Sequence, residues 1–576
     1  MSYSTVELDV LIIGAGGGGL RAAIELEKAN MDILVVGKRQ FGDAHTVKAA
    51  GGINAALKNL DPEDNWKIHA ADTLREGHFV NDPKAVELLC KNVPDRVKEL
   101  QKWGCNFNLT EEGSIDQRYF GAQSFRRTCF VGDRTGKAIE ETLVQKVKEL
   151  DVPNRENVVI TKILTDNGKV FGAVGYDRNK GEFVFFKSKA VLLAAGGYTE
   201  IYKRSSSRPH ENTGDGPALA FDAGAELQDM EMVQFHPTGM VKPEEKIGSL
   251  VTEAVRGEGG KLFNGKGERF MKEYSPKKME LDARDQVARA IFKEIEKGKG
   301  TESGGVYLDI SHEDSDLVRE RLPAIVEKFQ SVGIDPTRDK MEVAPTTHYS
   351  MGGVRIDFET GETKVDGLFA VGEVTAGLHG ANRLGGNSLA EVVTFGKLFS
   401  KSIADYVGSV SSSANSELKV KRAMSEIGEI KTGKGRFEPT ELLNQLGEVL
   451  WTNAGIVREE KSLKTGLEEI RKIRDKSRNL KEIGSSDENT FDRALELKFA
   501  LPVAEAIVIS ALRRTESRGA HYRSDYPDER GDWKRTLVVS GNPNEPVLRS
   551  VEPGPISRPI RETLQEGYEL EYHHLE

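Results

Sequence analysis

Gly14, Gly16 and Gly19 stand at the spacing GxGxxG in GAGGGGL. The apolar run 9–13 (DVLII) precedes them and an amphipathic stretch to about residue 29 follows. At such a place the first glycine permits the turn. The second lets a pyrophosphate approach the backbone, and the third lets helix and strand pack. The helix start then offers free N–H groups and the positive end of its dipole to a phosphate. An NAD site would set an acid at the end of the next strand, 32–36, to hold the ribose hydroxyls. This sequence has Gly37, Lys38, Arg39 and Gln40 there. Two later strands also run into glycine, AAGG at 194–197 and AVGE at 370–373. A cofactor touched by such distant segments fits an extended FAD better than NAD. Glu373 is then placed to accept from a ribityl hydroxyl, or it is a solvated loop acid.

Taken singly, other chemically capable residues have plain readings. His45, His236 and His348, each alone, read more often as satisfied structural histidines than as functional ones. Glu253 and Arg256, three apart, read first as a salt bridge. Cys90, Cys105 and Cys129 form no CxxC pair, which argues against a disulfide framework, a cysteine-held iron–sulfur cluster or another metal site.

The elements that must position these residues form a coarse pattern. A βαβ opening is followed by a helix over about 83–103. Strands are expected at 158–164, 170–176, 183–189 and, separately, 190–195. A mixed, polar region from about 234 to 344 has helical pieces near 286–297 and 316–331. The strand 367–371 and a helix over 388–406 return to the first fold. A polar linker near 409–416 leads into a charged, helix-patterned region. The last 55 or so residues, rich in Pro, Gly and Arg, read as a wrapping tail. The fold class is therefore α/β: a Rossmann-like FAD-binding domain (1–233 and 346–410) with an inserted α+β capping domain (234–345). A helical domain (411–523) and a C-terminal tail (524–576) follow.

The 576 residues carry 81 basic and 91 acidic groups, a net charge of −10, which disfavours nucleic-acid binding. No apolar stretch approaches the roughly 20 residues that span a bilayer, and no secretory signal precedes the first strand. Any membrane connection is expected to run through a partner.

Eight segments, in order, carry a resemblance: DAHTVKAAGGINAAL (43–57), TGDGPALA (213–220), QFHPTG (234–239), TEAVRGEGG (252–260), ELDARDQVARA (280–290), PTTHYSMGGV (345–354), GANRLGGNSL (380–389) and ESRGAHYRSDYP (516–527). The chain resembles the flavoprotein subunit of succinate dehydrogenase and fumarate reductase over nearly its whole length. The resemblance implies FAD attached covalently at His45. Cofactor contacts are implied at Lys38, Thr46, Gly51, Gly52, Ala195, Gly196, Asp215, Glu373, Ser388 and Leu389, beside the three opening glycines. It implies a clamp on a C4 dianion, with His236 and Thr252 at one carboxylate and His348 and Arg383 at the other. Arginine suits this because its planar fork meets a carboxylate with two bonds.

The resemblance further implies that Arg284 exchanges a proton with one substrate carbon while the flavin exchanges a hydride with the other. Glu253 and Arg256 are the implied relay. Arginine is an unusual acid–base group, since its pKa lies above roughly 12. The implied partners are succinate or fumarate, an iron–sulfur subunit, and membrane anchor subunits that meet quinone. The implied location is the cytoplasmic face of the cell membrane. Ala50 departs from both the Gln of typical succinate oxidisers and the Glu of typical fumarate reducers, so direction stays open. L-Aspartate oxidase shares much of the pattern but lacks the flavin-linking histidine.

Overall fold

The computed structural model describes residues 3–411, 416–484 and 487–566. The linker expected at 409–416 and the last ten residues of the tail fall largely outside them. β1 (Tyr3–Ile13) buries Val10, Leu11 and Ile12 completely, and each such side chain contributes about 1.5–3 kcal/mol. α1 (Gly17–Lys28) and β2 (Ile33–Val36) complete the opening unit, with β1 and β2 parallel and Val10 opposite Ile33.

β3 (Glu182–Leu193) lies parallel to β1 from Tyr3 opposite Phe183 to Ile13 opposite Leu193. It is one continuous strand where the sequence suggested two. The polar run Lys187, Ser188, Lys189 looked like a break. In the fold both lysines stay within the strand and pair outward, Lys187 with Glu7 at 2.7 Å and Lys189 with Asp9 at 2.8 Å. The first half of β3 also pairs with the antiparallel strand Lys169–Asp177, itself paired with Val158–Asp166.

A second sheet carries the capping region. β4 (Val233–Met240) runs antiparallel to β5 (Met341–Ser350), which continues through Val306–Asp309 to Lys261–Phe263. The register shifts around His236–Gly239, as the HPTG sequence demands, because proline cannot donate to a ladder. β6 (Leu368–Ala370) then returns to the first sheet beside β3.

Helices cover both sheets. α2 (Thr135–Glu149) lies near the segment carrying His45, and α3 (Arg284–Glu294) packs on β4 through a core that includes Val287 and Ile291. α4 (Pro323–Gln330) belongs to the same capping core. α5 (Asn387–Ser409) returns the chain to α1. Among the described residues the helices Glu417–Lys431, Pro439–Asn453, Glu460–Ser477 and Glu488–Arg513 follow, and Arg558–Glu566 comes last.

The tail holds more structure than its composition suggested. Thr536–Asn542 and Glu545–Val551 form a hairpin that joins the short strand Leu227–Gln228, and Asp229 accepts from the Leu537 N–H at 2.8 Å. The short run LVV at 537–539 is fully buried there, a signal too brief to read against its polar flanks. No helix among the described residues is long and apolar enough to cross a membrane.

Candidate functional site

One continuous cleft of about 1720 Å³, mouth included, follows the C-terminal ends of β1, β3 and β6. At its floor Gly14 has φ +116°, and a Cβ there would lie 2.2 Å from the Ala194 carbonyl oxygen. A Cβ on Gly19 would lie 2.1 Å from the Gly14 oxygen. Both positions therefore require glycine for strand and helix to meet, and Gly19 itself does not line the cleft. Gly16 does line it. The Gly17 N–H donates to Thr46 Oγ at 3.0 Å.

The expected cofactor residues Lys38, His45, Thr46, Gly51, Gly52 and Ala195 line the same cleft, as do Gly196, Asp215, Glu373, Ser388 and Leu389. Just past the end of β2, where no acid stands, Lys38 reaches one on another segment. Lys38 Nζ lies 3.2 Å from the Asp215 carboxylate and donates to Thr213 at 2.8 Å. A side-chain-free helix start, flanked by a long groove with polar groups at both ends, fits FAD.

His45 opens the turn His45–Lys48. Its Nδ1 lies 3.3 Å from Glu211 Oε2, and Glu211 is also held by Arg208 Nε at 2.8 Å. Burial would lower the His45 pKa, but the Glu211 carboxylate overrides it and raises it. With Nδ1 committed to Glu211, Nε2 is the ring nitrogen left free.

Beneath this turn, Glu140 on α2 is 1% exposed, and burial pushes its carboxyl up to about 8 against a weak pull from Thr46. A neutral acid is thus favoured by the folded state. The stability it contributes is complete below the unfolded value near 4.5 and is lost as pH rises through about 8. Melting temperature is expected to fall more steeply over this window in the wild type than in Glu140→Gln. The two proteins should differ by a few kcal/mol at pH 9 and hardly at pH 4.5. Parallel melting curves across the window would remove Glu140 from this account.

At the other end of the cleft, β4 and β5 bring His236 and His348 together, ring centroids 5.1 Å apart. Each ring is anchored through Nδ1, His236 by the Thr238 N–H at 3.2 Å and His348 by Ser206 Oγ at 2.9 Å. Burial, then neighbouring charge, drives both histidines well below their usual pKa, so both are neutral. The neighbours responsible are Arg284 and Arg256 for His236, and Arg284 and Arg383 for His348.

Arg284, the first residue of α3, donates from Nε to Glu253 Oε2 at 2.8 Å and from Nη1 to Gln234 Oε1 at 3.1 Å. Burial would raise the Glu253 carboxyl, yet Arg284 and Arg256 hold it at about 2. Thr252 lines the cleft beside it. Arg256 lies behind, outside the cleft lining. Its Nη2 is 3.9 Å from Glu253 Oε2, and its Nη1 donates to the Glu280 carbonyl oxygen.

Arg383 is 3% exposed. Its guanidinium stacks 4.3 Å above the Tyr349 ring and donates to Gln234 Oε1 at 3.0 Å and Ser388 Oγ at 3.3 Å. Burial and the like charge of Arg284 lower it to about 10. Among the described residues no carboxylate pairs with it.

Sequence reasoning passed over three residues that matter here. Gln234 bridges the two arginines, Glu211 orients His45, and Tyr349 supports Arg383. Gln234 and Tyr349 lie inside motifs already singled out, QFHPTG and THYSMGG. Glu211 lies two residues before TGDG. Only the pairing of β4 with β5 and the approach of distant segments reveal their roles.

Among known families, a model described as FAD binding domain matches residues 9–389, and one described as fumarate reductase flavoprotein C-term matches 443–561. The chain is 45% identical to a subunit of the fumarate reductase (CoM/CoB) of Methanothermobacter marburgensis, over 94% of this chain and 98% of that one. It is 37% identical to a succinate dehydrogenase flavoprotein subunit of Rickettsia bellii, over 94% of each. Among solved structures, Mycobacterium smegmatis Sdh1 in complex with UQ1 superposes with a TM-score of 0.88. That match has 40% identity and covers 97% of this chain and 96% of that one.

Proposed function

Because the chain belongs to the succinate dehydrogenase and fumarate reductase flavoprotein family, an FAD-dependent oxidoreductase family, we propose that its cleft interconverts succinate and fumarate on FAD bonded to His45. Bound there, FAD supplies the hydride acceptor and donor. The observation that carries the reading is Arg383, a buried guanidinium with no carboxylate partner among the described residues, facing two neutral histidines and a second arginine. An uncompensated buried cation is costly, and a substrate carboxylate relieves that cost.

His236 and Thr252 take one carboxylate of the dianion, and His348 and Arg383 take the other. Holding both ends fixes the central carbons and keeps one carboxylate from rotating freely, which favours the reacting geometry. Arg284 exchanges the proton. Glu253, its carboxyl held at about 2, orients Arg284 and links it to Arg256. At the far end, Glu211 accepts from His45 Nδ1 and orients the ring, so that His45 would hold the flavin through its other face.

We infer that electrons pass to or from an iron–sulfur subunit, with membrane anchors and quinone beyond, and that the chain sits on the inner face of the cell membrane through them. The similarity to Sdh1 in complex with UQ1 and to a succinate dehydrogenase flavoprotein subunit supports this. The relative named for fumarate reduction with CoM/CoB supports a thiol-linked partner equally. Direction follows the partner, since the same side chains serve both.

The test is an anaerobic absorbance titration. Succinate should bleach the flavin band, fumarate should restore it, and acid precipitation should leave the flavin on the protein. Bleaching by L-aspartate and not by succinate would move the chain to the aspartate oxidase reading. Flavin released into the acid supernatant would sink the His45 bond.

A further inference from the structure

A dianionic substrate meets a chain of net charge −10. The long-range field opposes its approach, so any attraction must be built locally at the mouth of the cleft. Three lysines from separate segments bear on it, Lys48 in the cleft lining and Lys246 and Lys328 beside the Leu250 segment that lines it. Lys48 faces solvent, closes the turn that begins at His45 and lines the cleft. Lys328, on α4, donates from Nζ to the Leu250 carbonyl oxygen at 2.6 Å. Leu250 lines the same cleft, two residues before Thr252. Lys246 ends the short turn Glu244–Lys246, and its carbonyl accepts from the Ser249 N–H at 2.9 Å, immediately before Leu250.

Burial, Lys48 and Lys246 lower Lys328 to about 8, and burial and Arg208 lower Lys48 against the pull of Glu211 and Asp43, with Lys246 a smaller contributor. The nearby acids are otherwise engaged. Asp43 and Glu211 hold Arg208. Asp133 accepts from the Ala324 and Ile325 N–H groups that start α4, and Glu327 pairs with Arg134. Glu244 and Glu245 share the turn of Lys246 and face solvent. Among the described residues no carboxylate pairs with Lys48, Lys246 or Lys328 within 4.0 Å.

We propose that Lys48, Lys246 and Lys328 form an anion-capture site that takes a carboxylate of the dicarboxylate at the cleft mouth, ahead of the His236–Arg383 pocket. The inference rests on the dicarboxylate reading above. Lysine suits capture where arginine suits holding. An ammonium on a flexible stem is a point charge that binds without demanding one orientation and releases readily, whereas the planar fork of Arg383 fixes its partner. The cap contributes Lys246 and Lys328 and the flavin side contributes Lys48, so a captured anion bridges the seam through which it must pass.

The experiment measures fumarate reduction by the holoenzyme with a reduced viologen dye, at salt from about 10 mM to about 1 M. The Debye length shrinks from about 30 to about 3 Å over that range. In the wild type, kcat/KM should fall as salt rises. In the double variant Lys48→Gln, Lys246→Gln it should start roughly ten-fold lower and change little. KM should carry the loss, kcat should stay within about two-fold, and the curves should converge at high salt. Calorimetric binding of malonate, a non-reacting dianion, should show the same salt-dependent weakening without turnover, and Lys328→Met should act with the same sign. A double variant with the wild-type salt slope, or one that loses kcat at unchanged KM, overturns the capture site and leaves the dicarboxylate reading intact. A wild type that neither reduces fumarate nor binds malonate overturns both.

Discussion

Replacing Arg284 with glutamine is expected to lower kcat for fumarate reduction by about 10³-fold, with KM changed far less. The magnitude is that of a positioned acid–base group, about 10²–10⁴. The geometry gives the reason for the split. Arg284 is held from behind by Glu253 at 2.8 Å and from the side by Gln234 at 3.1 Å, which leaves Nη2 on the side of the cleft near Gly385. A group fixed so firmly acts on the reacting carbons more than on ground-state affinity, which Arg383 and the histidines supply.

Arg284→Lys should recover only part of the loss. Lysine keeps the charge but not the fork that meets Glu253 and Gln234 together. A second signature separates this role from a structural one. Without Arg284, burial of Glu253 is opposed by Arg256, 3.9 Å away, and by the Gly121 N–H at 3.0 Å, so its carboxyl should rise from about 2. Residual activity in Arg284→Gln should then gain a pH dependence in the acid range that the wild type lacks. Turnover within about three-fold of wild type, by anaerobic assay of flavin-replete protein, would end the assignment of Arg284 as the proton-exchanging residue.

The legibility of this site in the sequence follows from what each residue needs. Gly14 and Gly19 are readable because no other residue fits against Ala194 and the Gly14 oxygen, so local spacing alone announces them. His236, Arg284, His348 and Arg383 are different. They lie far apart in the chain, and each alone has a plain structural reading. Only the ordered set of motifs pointed to a shared pocket, and the pairing of β4 with β5 brings the histidines within contact. Gln234 was out of reach, because a neutral amide carries no chemistry of its own. Its importance is that one carbonyl oxygen accepts from two guanidinium groups, a fact of three dimensions. The strand Glu182–Leu193 was split for a related reason. Lysines interrupt an apolar run in sequence, yet in the fold they pair with Glu7 and Asp9 and the strand runs on through them. The tail hairpin was missed because three buried residues make too short a signal.

Arg383→Met is expected to separate function from stability, and the two readouts should move in opposite directions. In the free enzyme the guanidinium is buried and stacked on Tyr349. It is bonded only to neutral oxygens and pushed down to about 10 by burial and by Arg284. Exchanging a buried charge for an apolar side chain of similar length is often neutral or stabilising by about 1–4 kcal/mol. Relief of repulsion with Arg284 adds to that, so the melting temperature of the ligand-free variant should hold or rise. Catalysis should fall steeply, because losing one partner of a buried charge pair with the substrate carboxylate costs about 2–5 kcal/mol. That corresponds to a drop in kcat/KM of roughly 30- to 4000-fold, carried largely by KM. The wild type should also gain melting temperature on adding malonate, as a ligand that neutralises Arg383 must stabilise the folded state, and the variant should gain little. A purely structural Arg383 would give the reverse, a variant that melts early and binds malonate normally once folded. The stability that this chain forgoes at Arg383 is thus recovered only when a carboxylate arrives, which couples substrate binding to closure of the charge balance in the pocket.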